Sequence, residues 1–288
     1  MKKILVLTDF SEASRKALFY TVNLYRDVAC SFTILNNFIV LPDSTGIVDE
    51  QIARNAQSNL DEVVAELKKV ALYENHAIEG LSIAGNLYIT VSELYRKDPF
   101  DMLVVGASGT GNSVRLGSVA TQMLRTAPCP VLVVPVKTRP KRIENIVVAT
   151  DYSNFESPEV FAPVRELMQH GNKELIFLSI LDKDTAPSQV DTERQSLLDQ
   201  YFVQYSPLHY YIKDDSPLEG IEDYLASHQT DLLVTISHHR SLWDIILNRS
   251  TSRILAYQAE VPLLVLTEYA HNGSGTDDES TMDWNVIL

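Results

Sequence analysis

Asp101-Met-Leu-Val-Val-Gly106-Ala-Ser-Gly109-Thr-Gly111-Asn-Ser-Val-Arg-Leu-Gly117-Ser118-Val119 decides how this chain is read. An apolar run, Met102 to Val105, enters a turn holding four glycines. A helical pattern then runs from about Gly117 to Thr126. A strand that leads through a glycine-rich turn into a helix gathers backbone N–H groups and a helix N-terminus around one point. Glycine permits positive φ and close approach, so the arrangement suits phosphate.

Outward from this stretch, strand and helix patterns alternate. The first half predicts a strand at 3–8, a helix from about Ser11 to Val28, a strand at 32–38 and a long helix from about Val48 to Glu74. It continues with a strand at 76–83, a helix at about 87–97, a strand at 101–106, the helix at 117–126 and a strand at 131–135. The strands are near-continuous apolar runs, as expected of a parallel sheet covered on both faces. Five such units predict a doubly wound α/β domain. Ligands of such sheets sit beyond the carboxyl ends of the strands, where strand order reverses. Here those ends carry Thr8-Asp9, Asn36-Asn37 and Gly106 onward, a set suited to a nucleoside phosphate.

The whole unit occurs twice. Ile4-Leu-Val-Leu-Thr-Asp9-Phe-Ser11 returns as Ile146-Val-Val-Ala-Thr-Asp151-Tyr-Ser153. Asp101-Met-Leu-Val-Val105 returns as Asp231-Leu-Leu-Val-Thr235, and Ala127-Pro-Cys-Pro130-Val-Leu-Val-Val134 as Ala259-Glu-Val-Pro262-Leu-Leu-Val-Leu266. Three matches in one order indicate duplication. The second half predicts strands at about 144–149, 174–180, 208–212, 231–236 and 263–267, shortened chiefly around its second helix. The expected division is 1–138 and 143–268, joined across the polar stretch from Pro135 to Glu144. An acidic tail without Lys or Arg, 269–288, has the composition of a disordered segment.

Charge is uneven. Residues 1–139 hold 14 Lys and Arg against 14 Asp and Glu, whereas residues 140–288 hold 10 against 24 and carry the whole net charge of −14. An acidic chain argues against nucleic acid or an anionic membrane as partner. No apolar run is long enough to span a bilayer, and the N-terminal apolar run is too short for a signal peptide, so a cytoplasmic location is expected. Cys30 and Cys129 suggest no disulfide framework, and Cys129 reads as buried packing. His238-His239 alternate in direction at a strand end and make a poor metal pair; His170, His209 and His228 stand singly. No P-loop, nucleophile elbow or zinc-protease motif occurs, so no enzyme is expected beyond a weak ATPase.

These residues resemble the universal stress protein family in its tandem two-domain form, over about residues 1–268. The resemblance lies in Thr8-Asp9-Phe10-Ser11, in Thr150-Asp151-Tyr152-Ser153, and in Ala127-Pro-Cys-Pro130 before a Val/Leu strand. It implies two Rossmann-like (adenine nucleotide alpha hydrolase-like) domains whose last strands pair antiparallel as an intramolecular pseudo-dimer, with further homodimerisation and an unknown protein partner. ATP-binding members carry Gly-x-x-Gly, nine residues, then Gly-Ser. By that pattern Thr8, Asp9, Asn37, Gly106, Gly109, Gly111, Gly117, Ser118 and Val119 are the candidate site for ATP or AMP, with Mg only in company with ATP.

The match is incomplete in both halves, and differently. Seven residues, not nine, separate Gly109 from Gly117. The second half keeps nine but has Ile236, His239 and Arg249 in place of glycines, so one site at most is expected, in the first half. Two readings remain there: a shortened phosphate loop in a nucleotide-responsive stress regulator, or a degenerate turn in an interaction module. Asp9 is expected to contact ribose or base, to cap the next helix in a capping box with Glu12, or both.

Overall fold

A computed structural model describes residues 1–39, 47–70, 76–107, 109–110, 113–114, 117–152, 155–181, 183, 191–237 and 261–267. In the first half the chain runs β1 (Lys2–Thr8), α1 (Glu12–Leu24), β2 (Cys30–Phe38), α2 (Ile47–Val70), β3 (Ala77–Ala84), α3 (Leu87–Lys97) and β4 (Met102–Ala107). A short pair, β5 (Gly109–Thr110) and β6 (Ser113–Val114), precedes α4 (Ser118–Thr126) and β7 (Val131–Pro135). The second half has β8 (Asn145–Ala149), a 3₁₀ turn at Pro158–Phe161, α5 (Ala162–Met168), β9 (Glu174–Leu181), α6 (Thr192–Tyr201) and β10 (Leu208–Lys213). It ends with α7 (Pro217–Ser227), β11 (Leu232–Ser237) and β12 (Leu263–Thr267). The predicted tail at 269–288 lies outside the described residues, as do His238, His239, Arg240, Arg249 and Gly111.

Ten strands form one sheet in the order β10-β9-β8-β11-β12-β7-β4-β1-β2-β3. Each half is parallel, and the halves meet where β12 lies antiparallel to β7. Leu132 faces Leu264, Val131 faces Val265 and Val133 faces Leu263. Pro130 and Pro262 are repeat equivalents, so Leu132 and Leu264 are each other's counterparts and the ladder pairs one repeat position with itself. A local twofold axis therefore runs through this ladder. Every residue of β7 is buried, which leaves no exposed apolar edge at the join. Both faces of the sheet carry apolar cores that run through the two halves.

The strand-opening aspartates, repeat markers in the sequence, tie neighbouring strands together. Asp101 Oδ2 accepts from the Lys3 amide at 2.7 Å. Asp231 Oδ2 accepts from the Glu144 and Asn145 amides, each at 2.9 Å, and Lys141 of the connecting segment ion-pairs with its other oxygen. Burial opposes the charge of Asp231, but the Lys141 and backbone hydrogen bonds prevail and hold its carboxyl below the ordinary carboxylate range.

Both halves also turn out of their first strand in one way. Thr8 Oγ1 accepts from the Phe10 amide at 3.1 Å, and Thr150 Oγ1 from the Tyr152 amide at 3.0 Å. Phe10 and Tyr152 both have φ of 63°. A left-handed aromatic costs about 1–2 kcal/mol, and the repeated threonine acceptor is what holds it.

The helices that follow differ. The first ends at Leu24, earlier than its predicted end at Val28, because the Tyr25 amide closes onto Thr21 and Asn23 and the ring enters the core. α1 begins three residues after Asp9, but α5 begins eleven after Asp151, behind a 3₁₀ turn opened by Pro158 and with Pro163 in its own first turn. Proline is accommodated only at helix starts. This delay explains an exchange on the next strand. A Cβ on Gly106 would lie 2.4 Å from the Ala13 carbonyl oxygen and 2.7 Å from the Ser14 amide nitrogen, because the first turn of α1 rests on β4. In the second half that turn is absent, and Ile236 is buried in the same core as Phe155 and Phe161. The second helix also shrinks, from 24 residues in α2 to 10 in α6, as the repeat lengths predict.

Gly106→Val is therefore expected to cost about 1–3 kcal/mol through overpacking against α1, read from urea unfolding; an unchanged midpoint would overturn this account. Asp231→Ala is expected to cost about 2–4 kcal/mol at pH 7, since two backbone donors and Lys141 lose their acceptor. The folded carboxyl titrates below its unfolded value of about 3.9. Its contribution is therefore present above that value and lost as pH falls through the lower folded one. The gap between wild type and variant should narrow below about pH 4, and a pH-independent gap would refute the ion-pair origin.

Candidate functional site

The order within each half places the topological switch between β1 and β4 in the first half. The carboxyl ends of these strands, β2, the β5–β6 hairpin and the start of α4 converge on that edge. Four candidates prove committed to the fold. Thr8 is buried; its hydroxyl holds the Phe10 turn and lies 3.2 Å from Ser14 Oγ, while its carbonyl accepts from Asn36 Nδ2 at 2.9 Å. Asn37 donates through Nδ2 to the Ile83 carbonyl at 3.1 Å and to Thr90 Oγ1 at 3.3 Å, locking β2 to β3 and α3. Gly106 is required by α1. Gly109 sits in a backbone ladder, opposite Val114, with Thr110 opposite Ser113. The expected anion nest is thus in part a closed hairpin, and Gly111 lies outside the described residues.

Gly117, Ser118 and Val119 stand differently. Gly117 is the N-cap of α4 with φ −62° and ψ 162°, makes no side-chain cap, and among the described residues a Cβ there would meet nothing within 4 Å. Neither strain nor packing calls for glycine, so the expectation of positive φ fails here as it does at Gly106. What glycine does is leave the helix start bare. The first amides of an α-helix lack intrahelical acceptors and carry partial positive charge. Ser118 and Val119 are exposed beside them.

Asp9 is exposed, and its Oδ1 accepts from the Ser11 amide at 3.0 Å. Partial burial would raise its pKa, but hydrogen bonds from Ser11 and Ser14 outweigh it and the carboxyl titrates below its ordinary value. The helix cap is Ser11, whose Oγ accepts from the Ser14 amide at 3.3 Å. This corrects the capping-box expectation: Asp9 lies two residues before the cap. Ser11 holds the helix, and the outer carboxylate oxygen of Asp9 stays available to a donor.

One residue outside the candidate set belongs to this edge. Asn36 is buried, and its Oδ1 has no hydrogen-bond partner among the described residues. A buried orphan acceptor at a strand's carboxyl end marks a place for a donor. Alternation along β2 was the signal: Asn36 and Asn37 point to opposite faces, and only Asn36 turns toward β1.

In the second half the aromatic residue after the first strand enters the core instead. Tyr152 is fully buried, with its hydroxyl 2.6 Å from His209 Nδ1, and His209 Nε2 lies 2.8 Å from Asp199 Oδ1. His209, read as isolated, is the middle of this chain and stacks on Phe177 at 5.4 Å. From the sheet registers it occupies the place of Gly80, where α2 packs close to the strand. Ile236 is buried beside this aromatic cluster. Both cysteines are free and buried, and burial pushes the Cys30 thiol up to about 12. Among the described residues no group of three or more His, Cys, Asp or Glu could hold a metal, and no helix is long and apolar enough to cross a membrane.

The universal stress protein family model matches residues 1–135. A universal stress protein of Methanocaldococcus jannaschii is 30% identical over 142 residues, which span 46% of this chain and 81% of that relative. The crystal structure of a universal stress protein from Archaeoglobus fulgidus has a TM-score of 0.72 at 18% identity, covering 92% of this chain and 98% of its own. A putative universal stress protein from Pseudomonas aeruginosa reaches 0.55 at 14% identity, covering 93% of each chain. These two likenesses establish the shared fold, a mostly parallel sheet between helices. The family model over the first half and the archaeal relative carry the assignment further: this chain belongs to the universal stress protein family.

Proposed function

We propose that the first half binds one adenine nucleotide, ATP or AMP, and that the chain works as a nucleotide-responsive regulator rather than as an enzyme. The observation that carries this is the bare N-terminus of α4. Among the described residues nothing steric or conformational requires glycine at 117, and with no side-chain cap it leaves the amides of the first turn to an anion. Phosphate sits there, against the backbone of Ser118 and Val119 and within reach of the Ser118 hydroxyl. Asp9, ionised at neutral pH, accepts from ribose hydroxyls, and the orphan Asn36 Oδ1 offers a buried acceptor near β1. Membership of the family supports the reading.

The second half holds no such site in this proposal, because Ile236, His239 and Arg249 stand where the family pattern has glycines. The reading of the chain as a ligand-free interaction module draws its support from Thr8, Asn37 and Gly109, whose groups serve the fold.

Calorimetry with ATP and with AMP separates the two. Wild type is expected to bind one nucleotide per chain, and Gly117→Arg to weaken binding at least tenfold. Since the space at Gly117 is open, that variant should unfold within about 0.5 kcal/mol of wild type. Asp9→Ala should also weaken binding. No heat from either nucleotide at millimolar concentration, or full affinity in Gly117→Arg, would leave the interaction module standing.

A further inference from the structure

A cavity lies far from the switch point. A cleft of about 680 Å³ opens between the two halves at the amino ends of the first half's strands. The end of α1 with residues 25–29 forms one wall, the segment 141–144 another, and the end of α5 with residues 169–173 the third. The volume is within the range of small-molecule sites, roughly 300–1,000 Å³. Leu24, Val28, Ile143 and Leu167 give it apolar surface.

Its charge runs against that of the surrounding chain. Residues 140–288 hold 10 Lys and Arg against 24 Asp and Glu, yet three of those ten, Lys141, Arg142 and Lys173, line this one cleft. Lys141 is engaged by Asp231. Arg142 is exposed and Lys173 half-buried, and neither makes an ion pair among the described residues. The lining carboxylates are mostly engaged: Glu166 pairs with Lys2, Asp27 with Arg26 at 3.7 Å, and Asp101 accepts from the Lys3 amide. Glu144 is the remaining acid. Burial holds the Lys173 ammonium below its ordinary range, against the pull of Asp27. A half-buried cation whose burial Asp27 offsets only in part, and which makes no ion pair among the described residues, is the feature an incoming anion would complete.

We propose that this cleft binds a small organic acid, a carboxylate or phosphate monoester on an apolar body. Arg142 and Lys173 hold its charged group while the body lies against Leu24, Val28, Ile143 and Leu167. Arg142 suits the head group because its planar fork meets carboxylate or phosphate oxygens in pairs. Because α1 lies on one side and the connecting segment and α5 on the other, the ligand bridges the halves. The site is independent of the nucleotide site, with which it shares only α1.

The test uses the full chain and the fluorescent aromatic anion 1-anilinonaphthalene-8-sulfonate. One probe is expected to bind per chain, with affinity falling as salt rises. The double variant Arg142→Gln/Lys173→Gln should lose at least tenfold in affinity, while Lys97→Gln/Arg125→Gln, an equal loss of charge at exposed positions on α3 and α4, leaves it unchanged. Asn172→Trp, which narrows the cleft mouth without altering charge, should weaken binding likewise and carries the test if the double variant loses its circular dichroism. Competition then separates the two head groups. 1-Naphthoate and 1-naphthyl phosphate should displace the probe, the stronger of the two naming the class, and neutral 1-naphthol should not. Equal displacement by naphthol, or full affinity in both the double variant and Asn172→Trp, overturns the proposal.

Discussion

The antiparallel pairing of β7 with β12 is the contact on which the molecule depends. Each half on its own would end in a strand of unbroken apolar residues, and such an edge is a template for aggregation. Joined, the two edges become the centre of a ten-stranded sheet, with Leu132 and Leu264 astride a local twofold axis. Because each half is parallel throughout, this one antiparallel step sends the carboxyl edges of the halves in opposite directions. The two candidate ligand edges therefore cannot merge into a shared site, whatever their loops become. The elements at the ends of α1 and α5 are brought together instead, around the cleft at the connecting segment.

Around this frame the same residue types have been put to different uses. Thr8 and Thr150 hold the left-handed aromatic that follows, so their hydroxyls are structural in both halves. Asp101 and Asp231 fasten strand starts, and Asp231 also anchors the connecting segment through Lys141. The proposed nucleotide site draws on fewer groups than the glycine count suggests: the cap at Gly117, the carboxylate of Asp9 and the orphan oxygen of Asn36.

The sheet, its duplication and the shortened second helix could be read from the chain, because apolar periodicity and repeated strand starts are local signals. The antiparallel join came only through resemblance to a family, since no local pattern says which edge pairs with which. Residue roles were harder. Gly106 and Gly117 look alike in sequence, yet one is imposed by the backbone of α1 and the other by no contact among the described residues; only the position of Ala13 tells them apart. Asn36 and Asn37 are adjacent, yet one ties its amide to β1 and keeps an orphan oxygen while the other is spent on β3 and α3. His209 gave no spacing signal, because its partners Tyr152 and Asp199 come from a turn and a helix remote in sequence.

The exchange of Gly106 for Ile236 acts as a ratchet on the history of the duplicated chain. Restoring glycine at 236 alone would open a void in the core shared with Phe155 and Phe161, because no helix turn stands ready to fill it. Restoring an early helix start alone would drive its backbone into the isoleucine. Each reversal is harmful without the other, and Pro158 and Pro163 bar the helix from creeping forward by degrees. The two halves, once interchangeable, have become complementary parts, and a chain built from two copies of the second half would begin without a route back.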